Sequence, residues 1–165
     1  MNLIQLNPIQ LDKLIKLDEK PQNFLCLEGA IPPGHVLVRS IKYCDKAMDK
    51  IWALPYFIQK SSQIIGCCGF KGEPNSNRVE IGYNVALNAQ GLGGATAAVK
   101  ILSQIAFDSG VINTVVALIS SSNVASLNVV RKNGFLYKEM VIDEDGEQLE
   151  SWELHRLFKH LESNA

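Results

Sequence analysis

Net charge of either sign is the first thing this chain lacks. Its 16 Lys and Arg face 17 Asp and Glu, a formal charge of -1, so nothing draws the whole molecule toward nucleic acid or an anionic membrane. No basic amino-terminal stretch leads into an apolar signal core, and no run approaches the roughly 18 apolar residues that cross a bilayer. A cytoplasmic protein is the expectation. Cysteine is scarce: Cys26, Cys44, Cys67 and Cys68 form neither a CxxC pair nor a Cys/His cluster with zinc spacing. Cys67 and Cys68 are neighbours on an apparent strand, face opposite sides, and read as reduced packing thiols with no histidine close by to activate them. His35, His155 and His160 are scattered, so no metal is expected. Repeats, low-complexity tracts and Pro/Ser-rich linkers are absent as well.

What remains is a globular composition, 47% hydrophobic and 20% charged over 165 residues, which suits one domain over 1–160 with a short tail at 161–165. A first strand over 3–6 precedes Asn7 as helix cap, Pro8 at the first helical position, and a buried stripe of Leu11, Leu14 and Ile15. Residues 18–34 lack periodicity and read as a long irregular segment, the kind of loop that carries specificity. Leu37, Ile41, Cys44, Met48 and Ile51 mark an amphipathic helix ending before Pro55. Strands over 53–59 and 64–70 flank a polar turn, and a third follows over 79–85. A long helix is expected from about 92 to 109, a buried parallel-type strand over 114–119, and a helix opened by Ser122 or Asn123 and closed by Arg131, Lys132 and Gly134. A hairpin, 135–142 and 149–154, ends the pattern. Together these predict a mixed, mostly antiparallel α/β sheet of six or seven strands with helices on both faces.

Between the third strand and the long helix lies Gln90-Gly91-Leu92-Gly93-Gly94-Ala95. Glycines at a helix start clear side chains away from unpaired N–H groups at the positive end of the helix dipole, a site for phosphates. Two phosphate motifs are excluded. A dinucleotide fingerprint needs a third glycine where Thr96 stands, and a P-loop needs a lysine that Gly93-Gly94-Ala95-Thr96 lacks.

The segment instead resembles the acyl-coenzyme A loop of the GNAT superfamily of N-acetyltransferases, pattern Gln/Arg-x-x-Gly-x-Gly/Ala, met here by Gln90, Gly93 and Ala95. Val79-Glu80-Ile81-Gly82-Tyr83 before it, Asn123-x-x-Ser126 opening the next helix and Gly134-Phe135 closing it match the family in type and order. The Asn-x-x-Ser form with Gly-Phe looks most like the branch that includes ribosomal-protein alanine acetyltransferases. Three positions depart: Gly94 replaces a bulky residue, Ala97 a frequent Glu, and Val130 a tyrosine that serves some branches as general acid.

The resemblance implies a sheet splayed into a V between the fourth and fifth strands, with a bulge near Asn84 and Val85, and acetyl-CoA as co-substrate. Asn84, the Val85 N–H, Gln90, the Gly91, Leu92, Gly93, Gly94 and Ala95 backbone, Asn123 and Ser126 would hold it. Glu80, on one strand face with Asn84, would take the acceptor's proton through water provided burial disfavours its charge, and Ser126 would relay a proton to the departing sulfur. A solvated or hydrogen-bonded strand position for Glu80 and simple capping by Asn123 and Ser126 explain those residues as well. The acceptor is a primary amine of a small molecule or a protein N-terminus; amino acids, polyamines and aminoglycosides stay open. Asp18, Glu19, Glu28 and Glu73 read as solvated loop charges, His35 as a surface or packing residue, Trp52 as a sheet anchor, and Tyr83 and Tyr137 as packing residues. The alternatives are that the carboxylates attract a cation, that His35 and Trp52 border the acceptor pocket, and that the tyrosines reach the cleft. The carboxy-terminal strand edge offers a homodimer contact. The rival reading is an acyl-coenzyme A-binding module that senses without turnover.

Overall fold

The chain opens as a strand, β1 (Asn2–Gln5), and turns at once into a helix, α1 (Pro8–Leu17). A reciprocal cap fixes the turn: the Gln10 N–H donates to Asn7 Oδ1 and the Asn7 N–H to Gln10 Oε1, both at 2.9 Å. The computed structural model describes residues 1–17, 25–46 and 48–157. Within the segment expected to be irregular it contains a two-residue strand, β2 (Leu25–Cys26), too short to leave a periodic signal.

The single helix expected through Ile51 is two, α2 (Gly34–Asp45) and α3 (Lys50–Ala53). Asp49 breaks it, because its carboxylate accepts from the Ile51 N–H at 3.0 Å and starts a new turn, while the apolar spacing runs through unchanged. Three strands follow, β3 (Tyr56–Lys60), β4 (Gln63–Phe70) and β5 (Arg78–Val85), then a 3-10 turn at Leu87–Ala89 and the long helix α4 (Gly94–Asp108). After β6 (Thr114–Ser120) comes α5 (Val124–Lys132), capped by Asn123 and closed by paired bonds from the Gly134 N–H to Arg131 O and the Phe135 N–H to Val130 O. The hairpin β7 (Leu136–Ile142) and β8 (Gln148–His155) completes the chain.

The strands join in the order β1-β3-β4-β5-β6-β8-β7, with β2 beside β4. That makes eight strands rather than six or seven, the difference arising from β2. All neighbours are antiparallel except β2–β4 and β5–β6. The β5–β6 ladder pairs only Arg78, Val79 and Glu80 with Thr114, Val115 and Val116; beyond Glu80 the strands part, which is the expected V. α4 and α5 cover one face over Val79, Ile81, Ala98, Leu102, Val115 and Val130, and α1 and α2 cover the other over Leu11, Leu37, Phe57 and Ile64. Cys68 belongs to the α4 side, and Trp52 is buried there against Phe70, ring centres 4.8 Å apart, rather than at a pocket mouth.

The bulge lies elsewhere than expected. β4 and β5 keep regular register through Gly66↔Val85, whereas Ile58↔Gly66 and Gln59↔Ile64 leave Ile65 of β4 as the extra residue against β3. Gly66 then approaches β5 so closely that a Cβ on it would sit 2.2 Å from Asn84 O and 2.9 Å from Val85 Cα. Gly66→Ala is therefore expected to destabilise the protein by about 1–3 kcal/mol through overpacking, lowering Tm by several degrees. Thermal denaturation checks this, and an unchanged Tm would mean that β5 yields freely.

At the closed end of the V, Glu153 is 5% exposed and meets Arg78 Nη2 at 2.6 Å and His155 Nε2 at 3.3 Å. The Arg78 hydrogen bond holds its carboxyl below the ordinary value; burial opposes this, and the charges of Arg78, His155 and Lys138 add to it. A carboxyl depressed on folding stabilises the protein above its unfolded pKa, and that contribution is lost as pH falls through the folded pKa. Wild type is accordingly expected to lose stability on acidification more steeply than Glu153→Gln, as read by denaturation midpoints across the acid range.

Candidate active site

The glycine-rich run opens α4 with its donors bare. Gly91 and Gly93 take φ of 75° and 77°, in the left-handed region. Gly93 caps the helix without any side-chain hydrogen bond, and the first intrahelical bond runs from the Ala97 N–H to Gly93 O at 3.0 Å. The N–H groups of Gly94, Ala95 and Thr96 therefore have no partner within the helix and point to an anion. Gly94 is small for a packing reason: a Cβ there would meet Ile65 Cδ1 at 3.0 Å, so the bulged residue of β4 occupies the room a larger side chain would need.

Gln90 acts through its side chain, donating from Nε2 to Val85 O at 3.1 Å. The Val85 N–H lies on the same side. Bonds from the Lys71 N–H to Glu80 O and from the Ala86 N–H to Ile65 O fix the alternation of the β4–β5 ladder, and that alternation turns both Val85 groups away from β4 toward the open V. Val85 and the α4 start face one cleft of about 410 Å³, closed on its far side by α5.

Most of the expected cofactor residues meet in this cleft: Asn84, Val85, Gln90, Gly91, Gly93, Gly94, Ala95, Asn123 and Ser126 line it. Leu92 does not. It is exposed and borders a separate depression with Leu27, Lys60 and Ile65. Asn84 spends its amide on structure, donating from Nδ2 to Gly29 O at 2.8 Å and so tying the turn after β2 to β5. Thr96, Ala125, Asn128, Val129 and Lys132 line the cleft without having been singled out from sequence. On α5 the last four recur at helical spacing, a stripe that a helical-wheel count can find. Asn133 links the two helices, donating to Thr96 O at 3.1 Å and to Val129 O at 2.9 Å.

The mouth of the V is a gap of about 240 Å³ bordered by Tyr83, Ala117, Ile119, Asn123 and Ser126. Asn123 Oδ1 accepts from the Ser126 N–H at 3.0 Å, the capping role. Tyr83 Oη donates to Ser126 O at 3.1 Å across the gap. Burial pushes the Tyr83 phenol up, with hydrogen bonding from the Ser126 side chain opposing it, so it stays protonated at neutral pH. Val130, where some relatives carry tyrosine, is wholly buried. Tyr83 also borders a cavity of about 220 Å³ between β5 and α2, on the far side of the strand.

Glu80 lies outside the coenzyme cleft, in an open groove along β5 and β6. Its carboxylate is 30% exposed and ion-paired with Lys71, whose stem passes within 3.4 Å of where a Gly82 Cβ would be. An ammonium, not an apolar surround, is its immediate environment. Tyr137 packs edge-on to Trp152, ring centres 5.9 Å apart, and lines none of these spaces. Neither His35 nor Glu28 borders them, and Glu73 faces only the Glu80 groove. Asp18, Glu19, His160 and the tail at 161–165 lie outside the described residues. None of the four cysteines is in a disulfide; burial lifts the Cys67 thiol to about 11 and Cys68 higher still, which leaves neither as a ready nucleophile. Among the described residues no group of three or more His, Cys, Asp or Glu is placed to hold a metal, and no helix is long and apolar enough to cross a membrane.

An open mixed sheet that splays beside an uncapped, glycine-led helix defines the class of acyl-coenzyme A N-acyltransferases. Residues 31–136 match the model of the acetyltransferase (GNAT) domain, and the chain belongs to that family. As such it is an acetyl-CoA-dependent N-acetyltransferase. No curated protein matches it in sequence. Among solved structures it is similar to the aminoglycoside acetyltransferase AAC(6')-Ib in complex with coenzyme A, at 18% identity and TM-score 0.64, covering 94% of each chain. A spermidine N-acetyltransferase of Vibrio cholerae, at 13% identity and TM-score 0.66, is covered over 95% of its chain by 94% of this one. RimL, a ribosomal α-N-protein acetyltransferase in complex with coenzyme A, follows at 18% identity and TM-score 0.67, with 93% of this chain against 92% of that one. At these identities the likeness is one of fold.

A side chain at Gly93 would have to take the left-handed conformation at a strain of about 1–2 kcal/mol and would stand among the bare donors. Gly93→Val is expected to weaken acetyl-CoA binding by about tenfold or more while lowering Tm by a few degrees. Calorimetry beside a melting curve separates the two effects.

Proposed function

We propose that the cleft between α4 and α5 holds acetyl-CoA, that the V presents its thioester to an amine, and that the amine attacks it directly while both substrates are bound. The observation that carries this reading is that the free Val85 N–H and the bare donors of α4 open into one cleft. The N–H groups from Gly91 to Ala95 suit a pyrophosphate, and Lys132 at the end of α5 adds the only ammonium among the described residues of that lining. The Val85 N–H is placed for the thioester carbonyl oxygen, where negative charge builds as nitrogen adds.

In the reaction the amine's N–C bond forms, the C–S bond breaks, the nitrogen loses a proton and the sulfur gains one. Glu80, working through water, supports the first transfer, for which its pair with Lys71 must loosen. The Ser126 hydroxyl, beside the Tyr83 phenol, supports the second, since Ser126 lines both the coenzyme cleft and the gap where β5 and β6 part. Tyr83 is a positioning residue: it holds the first turn of α5, and thereby Ser126, against β5. Cysteines outside any disulfide agree with a reducing, cytoplasmic setting. The β7 edge, exposing Met140 and Ile142, is the surface through which a homodimer would form.

Ser126→Ala is expected to lower kcat by about 10²-fold with acetyl-CoA affinity retained. Glu80→Gln should depress the rate at neutral pH far more than it changes acetyl-CoA affinity. Thiol release against pH, across diverse amines, tests both. An unchanged profile in Glu80→Gln would reduce that residue to a strand ion pair, and coenzyme binding without thiol release for any amine would mark a sensing module.

A further inference from the structure

The cavity between β5 and α2 has a chemical character of its own. α2 turns two stripes in different directions. Leu37, Ile41 and Cys44 pack toward α1, whereas Val36, Arg39, Ser40 and Tyr43 line the cavity at helical spacing. Across from them stand Phe70, Lys71 and the β5 backbone from Gly82 to Asn84. Among the described residues two cations and no carboxylate line this space. Lys71 is matched by Glu80 outside it, which leaves the exposed Arg39, without an ion-pair partner among the described residues, as the uncompensated charge.

The hydrogen-bonding capacity points the same way. Ser40 Oγ is committed to Val36 O at 2.9 Å, Tyr83 Oη to Ser126 O and Asn84 Nδ2 to Gly29 O. What remains free is the Arg39 guanidinium and, one turn further along α2, the Tyr43 hydroxyl, which together suit an anion. The cavity also touches the reaction zone, since it shares Lys71, Gly82 and Tyr83 with the gap in the V and Tyr83 and Asn84 with the coenzyme cleft. At about 220 Å³ it falls below the roughly 300–1,000 Å³ of pockets for larger ligands.

We infer that the acceptor is a small amine that also carries a carboxylate, of amino-acid type, with its carboxylate on Arg39 and its amino group at the β5 side of the V. This deepens the proposed acetyl transfer and rests on it for the fate of the amine. A polycation would meet the uncompensated Arg39 with like charge, an unfavourable contact that no carboxylate in the described lining offsets.

Two measurements test the assignment. Thiol release from acetyl-CoA is followed with matched acceptors: α-, β- and γ-amino acids, their carboxamides, the corresponding amines without the carboxylate, a polyamine, an aminoglycoside and a short peptide. Binding of the same amines to protein saturated with coenzyme A is followed by calorimetry, with no turnover needed. Carboxylate amines are expected to exceed their carboxamides in kcat/KM by about tenfold or more. Arg39→Met should erase that margin by raising KM for the carboxylate member alone, Arg39→Lys should restore part of it, and acetyl-CoA affinity should not change in either. Equal use of acid and amide, preference for the polyamine, aminoglycoside or peptide, or equal losses for both members in Arg39→Met would overturn the inference while leaving acetyl transfer in place. Carboxylate- and Arg39-dependent binding without any thiol release would uphold it and overturn the transfer. Neither binding nor release would overturn both.

Discussion

The function of this chain depends on a strand end that the sheet leaves unpaired. β5 is paired with β6 only from Arg78 to Glu80 and with β4 from Ile81 to Val85, so its last residues carry, on the β6 side, backbone groups with no ladder to join. A buried peptide group without a partner is costly, and the chain divides the cost at Val85. Gln90 satisfies the carbonyl and the N–H is left for a ligand. The same side chain that marks the phosphate loop in the sequence thus completes the strand that faces the thioester.

Two independent hydrophobic layers make the parting possible. The α4 and α5 side, centred on Leu102, Val115 and Val130, bridges both halves of the sheet, so β5 and β6 stay in one body although they diverge. The α1 and α2 side covers only the amino-terminal strands, with Phe57 and Ile64 at its centre. The face bearing Glu80, Val116 and Leu118 is left as an open groove. The cleft at the start of α4 and the cavity beside α2 therefore lie on opposite sides of β5, and the strand itself is the partition between them.

Much of this was legible in the sequence, and the failures have physical causes. Helix and strand periods survive in α1, α4, β5 and β6 because each has one clear buried face. The glycine-rich start of α4 stands out in the sequence because a backbone site needs glycine, and glycine leaves a mark. The outward turn of the Leu92 side chain is not legible there, since a loop has no periodicity to give a direction. The break at Asp49 and the two-residue β2 were hidden because a single cap or a single pair of ladder bonds leaves no pattern. Glu80 was assigned correctly to its strand face, yet its partner Lys71 comes from the end of another strand, and pairing of that kind is set by register alone. Arg39 was missed because it occupies the minor stripe of a helix whose major stripe explains the fold.

Asn133 gives the coenzyme cleft a fixed aperture. By gripping a carbonyl of α4 and one of α5 at once, it rivets the two walls at a point that no ligand has to reach. Their separation is a property of the empty protein, and a coenzyme enters a slot already cut to width instead of drawing two helices together. Little ordering entropy then remains to be lost on the donor side.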